Sequence, residues 1–143
     1  MTNFDRVEQW MTDVGQIPIA LEQLDKVLER RETLIDEEYT EVMMSGKDLY
    51  PASCSKENLV DYLKELADLL VVTYGAFADL GINADEVFKI VQDENDKKVQ
   101  HKEVREDGKI IVNPEVKAKL KQETKERLSS LVEQVPSSYL WSD

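Results

Sequence analysis

Residues 55–80 read SKENLVDYLKELADLLVVTYGAFADL, and residues 37–41, upstream of them, read EEYTE. The longer stretch decides the fold. Leu59, Leu63, Leu66, Leu69, Leu70, Val71, Val72, Phe77 and Leu80 recur at helical spacing, with Ser55 placed to cap the start and Gly81 to end the helix. Its apolar residues fall on more than one side, as expected of a helix central to the fold or to a subunit interface. Gly75, with the small residues Ala76 and Ala78 following it, would permit close helix approach. Among the leucines lie Asp61, Glu65 and Asp68, at i, i+4 and i+7, with Lys64 the nearby cation. Like charges so spaced destabilise a helix. Burying them costs far more unless they are paired or hold a metal.

Working upstream, Leu21, Leu24, Val27, Leu28, Leu34, Ile35, Val42 and Met43 predict a second long helix over about Ala20 to Ser45, with Gly46 as its C-cap. Glu38 and Glu41 share a face of it, as Glu65 and Asp68 share a face of the other. Two facing helices would then gather four carboxylates. With 30 acidic residues in 143, one such acidic pattern arises by chance about once per chain, and most such runs are solvated helix faces. The second pattern, set in the most apolar helix, raises the case for a cation. An all-carboxylate donor set suits Mg²⁺, with Mn²⁺ as a substitute. A bundle di-iron site would need Glu-x-x-His pairs, and the sole histidine, His101, follows Lys97-Lys98-Val99-Gln100. EF-hand, Walker A and Gly-x-Gly-x-x-Gly loops are absent, as are Ser/His and Cys/His motifs.

The remaining chain supports an all-α fold. Phe4, Val7, Trp10, Met11 and Val14 predict a first helix behind Thr2 or Asn3, stopped by Gly15. Lys47 to Ser55 reads as a loop. Asn83 with Glu86 opens a fourth helix carrying Val87, Ile90 and Val91. After Lys97 the pattern turns polar, Asp107-Gly108 signals a turn, and Lys109 to Val112 predicts a short extended piece. Asn113-Pro114 starts a last helix with a thin apolar stripe, which Pro136 ends before a Tyr139-Leu140-Trp141 tail. The net charge of −12 argues against nucleic acid or an anionic membrane as partner. One cysteine, Cys54, and an N-terminus without a basic start and apolar run point to a cytoplasmic protein.

These residues, taken in order, resemble a known group. Arg31…Leu34-Ile35-Asp36-Glu37-Glu38-x-x-Glu41, then Glu65-Leu66-Ala67-Asp68 through Gly75, Leu80-Gly81-Ile82-Asn83, Asn95-Asp96-Lys97-Lys98 and Asp107-Gly108-Lys109 are similar to the MazG-like all-α nucleotide pyrophosphohydrolases. Within that superfamily the likeness is greatest to the small dimeric branch related to phosphoribosyl-ATP pyrophosphohydrolase, some of whose members act on dUTP. It covers roughly residues 4 to 113. The resemblance implies that Glu38, Glu41, Glu65 and Asp68 hold Mg²⁺, and that Glu37 orients or deprotonates the attacking water beside Glu38. It implies nucleotide or phosphate contacts from Asn95, Lys98 and Lys109, with Arg31 a weaker candidate. The chain departs from the family where Gln92 replaces a common His and Val112 a common Lys, which bears on base recognition.

The resulting expectation is a four-helix-bundle-like domain over residues 1–113 with a C-terminal helix and tail over 114–143. The protein would dimerise through its third helix, as a homodimer or a dimer of dimers. It would cleave a (d)NTP between the α- and β-phosphates. Trp10 or Tyr74 could stack on the base, although a core role is the commoner one for such residues. The rivals are phosphoribosyl-ATP hydrolysis and a non-catalytic acidic helical interaction module.

Overall fold

The computed structural model describes residues 1–50 and 54–135. Five helices and one small hairpin make up the regular structure among them: α1 (Asn3–Asp13), a 3-10 turn (Leu21–Gln23), α2 (Leu24–Lys47), α3 (Lys56–Asp79), α4 (Ala84–Val99), β1 (Lys102–Val104), β2 (Ile110–Val112) and α5 (Pro114–Glu133). The fold is all-α, as the periodicity predicts. The chain divides into two compact units, Met1–Gly81 and Ile82–Asp143. That division falls after α3, and within the second unit α4 packs with α5.

In the first unit, Thr2 caps α1 with a reciprocal pair. The Asp5 amide donates to Thr2 Oγ1 at 3.1 Å and the Thr2 amide donates to Asp5 Oδ2 at 2.7 Å. Phe4 and Met11 project from one face of α1 and are almost wholly buried. The Phe4 ring meets the Tyr74 ring of α3 at 6.1 Å and 58°, a tilted aromatic contact. Ser55 caps α3 by accepting from the Asn58 amide, and Gly81 ends it at φ 68°, the left-handed conformation that favours glycine.

Helices α2 and α3 run side by side in opposite directions. Early in α2, Arg31 meets Val72 and Asp79 late in α3. At the other end, Tyr62 lies against Gly46 and the Asn58 amide group donates to the Asp48 carbonyl. Gly46 is not the cap that its type suggests. The helix continues through Lys47 and is capped by Asp48; a Cβ added at Gly46 would only reach ordinary contact with the Tyr62 ring, at 3.4 Å. The start also differs: residues 21–23 form a 3-10 turn before α2 proper.

In the second unit, Asn83 accepts from the amides of Asp85 and Glu86 at the start of α4. The polar segment after Lys97 holds a strand that its hydrophobic pattern does not announce. Lys102–Val104 pairs antiparallel with Ile110–Val112, Lys102 opposite Val112. Three exposed residues give β1 no apolar alternation to read. The Asp107-Gly108 turn closes the hairpin as expected, with Gly108 at φ 81° and the Lys109 amide donating to Asp107 Oδ1. Asn113 caps α5, with Pro114 in the first turn. That helix ends at Glu133; Pro136 and Tyr139-Leu140-Trp141 lie outside the described residues. No helix among the described residues is long and apolar enough to cross a membrane.

Candidate metal and phosphoryl-transfer site

The opposed run of α2 and α3 brings Glu38 to the level of Glu65 and Asp68. One carboxylate oxygen from each of the three lies within 4.8 Å of the other two. All three side chains are half-buried. Glu38 Oε2 and Glu65 Oε2 are fully shielded and have no hydrogen-bond partner. A buried anionic oxygen with no donor is expensive to keep, and a hard cation would relieve two at once. Donor set and orphaned oxygens both fit Mg²⁺ or Mn²⁺.

Glu41 stands beside the trio and is exposed. Hydrogen bonding to the Glu41 carboxyl pushes the Glu65 carboxyl above its ordinary value, with desolvation adding to the effect and Lys64 opposing it. Lys64 is the nearest cation: its Nζ lies 2.6 Å from Asp68 Oδ2 and 3.7 Å from Glu65 Oε1. It reaches the rim from solvent. Glu37 is exposed on α2, one residue before Glu38 and outside the trio.

Arg31 takes a different place from the one its resemblance suggests. Its Nε donates to Asp79 Oδ2 at 2.9 Å and its Nη2 to Oδ1 at 3.4 Å, while Nη1 reaches the Val72 carbonyl at 3.5 Å. Both side chains are buried, Asp79 completely. A guanidinium so engaged is a core ion pair and not a phosphate ligand waiting in solvent. Removing either partner alone would strand a buried charge, at a cost of about 3–5 kcal/mol. A Cβ built on Gly75 would come within 2.5 Å of Arg31 Nη1. Gly75 therefore makes room for the guanidinium, where its neighbours had suggested room for another backbone. The sequence carries one clue to this pair: Asp79 lies fourteen residues past Glu65, near the same helical face.

The other phosphate candidates belong to the second unit. Lys98 Nζ pairs with Glu94 Oε1 at 3.1 Å, one turn back on α4. Asn95 is exposed and its amide group donates to Gln92 Oε1 at 3.4 Å. Lys109 is exposed in the hairpin turn. Trp10 and Tyr74 line one apolar cavity of about 490 Å³ between α1 and α3, with Asn3 and Arg6 at its polar edge.

The architecture and this trio define a class: an all-α protein whose central helix pair gathers carboxylates suited to a divalent cation. The family model described as phosphoribosyl-ATP pyrophosphohydrolase matches residues 15–95, more than half of the chain and all of α2 and α3. The chain belongs to that family, and with it to the MazG-like all-α NTP pyrophosphohydrolase superfamily. Its activity is accordingly of the pyrophosphohydrolase type, hydrolysis of a phosphoric anhydride. No curated protein sequence matches the chain.

Proposed function

We propose that the protein hydrolyses a nucleoside triphosphate between its α- and β-phosphates, giving the monophosphate and pyrophosphate, with Mg²⁺ as cofactor. The observation that carries this reading is the trio of Glu38, Glu65 and Asp68 with two buried, unpartnered oxygens. Glu38, Glu65 and Asp68 would hold the cation, with Glu41 as a further ligand from its place beside Glu65. A bound divalent ion supplies charge neutralisation on phosphate oxygens and lowers the pKa of water.

The chain's own groups take the other roles. Glu37 is an exposed carboxylate adjacent to the trio in sequence, suited to accept the proton of the attacking water. Lys98 and Lys109 carry the positive charge to neutralise phosphates, and Asn95 the amide to hydrogen-bond the nucleotide. For Lys98 this requires exchanging its Glu94 partner for substrate. A house-cleaning role on dUTP-like substrates in the cytoplasm is part of the same proposal.

A homodimer is also proposed. Val60, Leu63, Leu70 and Val71 form an exposed apolar row along α3, between 43% and 57% accessible. A second copy of the same row would be its cover.

The second reading is phosphoribosyl-ATP hydrolysis, favoured by the family description itself. The two share bond type and metal, so a substrate panel separates them: (d)NTPs and phosphoribosyl-ATP with Mg²⁺, scored for pyrophosphate against phosphate. Pyrophosphate from a (d)NTP in preference supports the first reading, and preference for phosphoribosyl-ATP the second. Release of phosphate would refute both. Unchanged melting with Mg²⁺ and every nucleotide would leave the helical interaction module.

A further inference from the structure

The packing of α2 on α3 does not by itself fix which residues stand opposite one another. Helix α3 is leucine- and valine-rich on several sides, so sliding α2 by one turn, about 5.4 Å, exchanges one apolar contact for another. The carboxylate trio has no such tolerance, since Glu38 meets Glu65 and Asp68 at only one level. Something polar has to specify that level. Arg31 lies two turns before Glu38 on the same face of α2, and Asp79 three turns beyond Asp68 on α3.

Their pair has the properties of a register device. It is buried on both sides, 6% exposed at Arg31 and 0% at Asp79, where apolar residues of like volume would stabilise at least as well. The guanidinium fork meets both carboxylate oxygens, which fixes direction as well as distance. Gly75 supplies the space in which the fork lies. A one-turn slip would leave both charges buried and unpaired, an outcome the apolar contacts cannot offset.

We propose that the Arg31–Asp79 pair, seated over Gly75, is a positioning element that locks α2 and α3 in the one register at which Glu38, Glu65 and Asp68 converge to bind a divalent cation. The proposal rests on reading that trio as a cation site. Neither Arg31 nor Asp79 touches substrate or metal; both act through the level at which they hold Glu38.

The test uses the full chain and three variants: Arg31→Met with Asp79→Leu together, Arg31→Lys, and Gly75→Ala. Binding of Mg²⁺ and Mn²⁺ is measured by calorimetry alongside thermal melting, kcat and KM. The double variant removes both charges and keeps the volume, so it should melt near the wild-type temperature. Its cation affinity should nevertheless fall at least about tenfold and kcat about a hundredfold, the scale set by roughly 1 Å of misplacement. Arg31→Lys keeps the charge without the fork and should recover part of the loss. Gly75→Ala should reproduce the loss by displacing the fork. Wild-type cation affinity in a folded double variant would overturn the lock while leaving the cation site standing. Should that variant not fold, wild-type affinity in both Arg31→Lys and Gly75→Ala would overturn it equally. Absence of cation binding by the wild-type protein would overturn the cation site, and the lock with it.

Discussion

Glu38 on α2 and Glu65 on α3 bring one carboxylate oxygen each within 4.8 Å of the other, and the Oε2 atom of each is buried without a partner. In the metal-free chain this is a repulsive contact, held together by the packing around it. Neutralising one member should therefore have opposite effects on folding and on chemistry. Glu38→Gln should melt at or slightly above the wild-type temperature without metal, because a like-charge contact is lost. If the proposed cation site holds Mg²⁺, the variant should lose stabilisation by Mg²⁺ and at least about a hundredfold in turnover. Paired melting curves and pyrophosphate release check both halves. A Glu38→Gln enzyme with wild-type turnover would remove Glu38 from the site.

Asp68 should separate from Glu38 in one respect. Its carboxylate also carries the 2.6 Å contact with Lys64, so Asp68→Asn weakens an ion pair as it removes a proposed metal ligand. The metal-free variant should gain less stability than Glu38→Gln, while turnover falls as far. Side-by-side melts of the two variants test the difference.

Lys64 occupies the rim of the site as a competitor for the charge that a cation would take. It contacts Asp68 and Glu65 from solvent, where such pairs are weak and screened. Replacing it with Gln should tighten Mg²⁺ binding by about two- to fivefold at low salt, and less as salt rises. Calorimetric titration at two ionic strengths measures this. Weaker binding in Lys64→Gln would mean that the lysine supports the site.

The Glu65 carboxyl is held above its ordinary value by hydrogen bonding to Glu41 and by desolvation. A raised carboxyl pKa favours the protonated folded state. Its contribution to the metal-free fold is thus fully present below the ordinary carboxylate value and is lost as pH rises through the raised one. Cation binding has the opposite dependence, since the carboxylate must be deprotonated. The melting-temperature gap between Mg²⁺-loaded and metal-free protein should widen with pH across that interval. Melting with and without Mg²⁺ from about pH 4.5 to 7.5 follows it, and Glu65→Gln should flatten the trend.

Much of this molecule was legible because its helices are long and their ends carry strong signals. Thr2, Ser55, Asn83 and Asn113 all cap as their types predict. Glu38 and Glu41 could be placed on one face of their helix, and Glu65 and Asp68 on one face of theirs, from spacing alone, because four residues make about one turn. What spacing could not supply was register. Arg31 looks like any helical surface arginine until Asp79, forty-eight residues away, is known to stand opposite. Strand β1 escaped for the same reason: it depends on which segment it pairs with, and it leaves no periodic trace in its own residues.

The packing of α5 on α4 should be acid-sensitive. Leu120 is buried on α5, while Val116, Leu128, Leu131 and Val132 are half-covered, so ionic contacts matter more here than in α3. Arg127 Nη1 donates to Asp93 Oδ2 at 2.8 Å and Lys89 Nζ to the same oxygen at 3.0 Å. These two hydrogen bonds hold the Asp93 carboxyl below its ordinary value. At Glu94 desolvation works against ionisation, but hydrogen bonds from Thr124 and Lys98 outweigh it and lower the pKa. A depressed carboxyl pKa contributes stability that is present above the ordinary value and lost as pH falls through the lowered one. Amide exchange protection along α5 should therefore fall as pH drops below the ordinary carboxylate range, ahead of α3. Arg127→Ala combined with Thr124→Val should lower that protection at neutral pH and flatten its acid dependence. If the double variant loses protection over the same interval and to the same degree as the wild type, Asp93 and Glu94 are not what fastens α5 to α4.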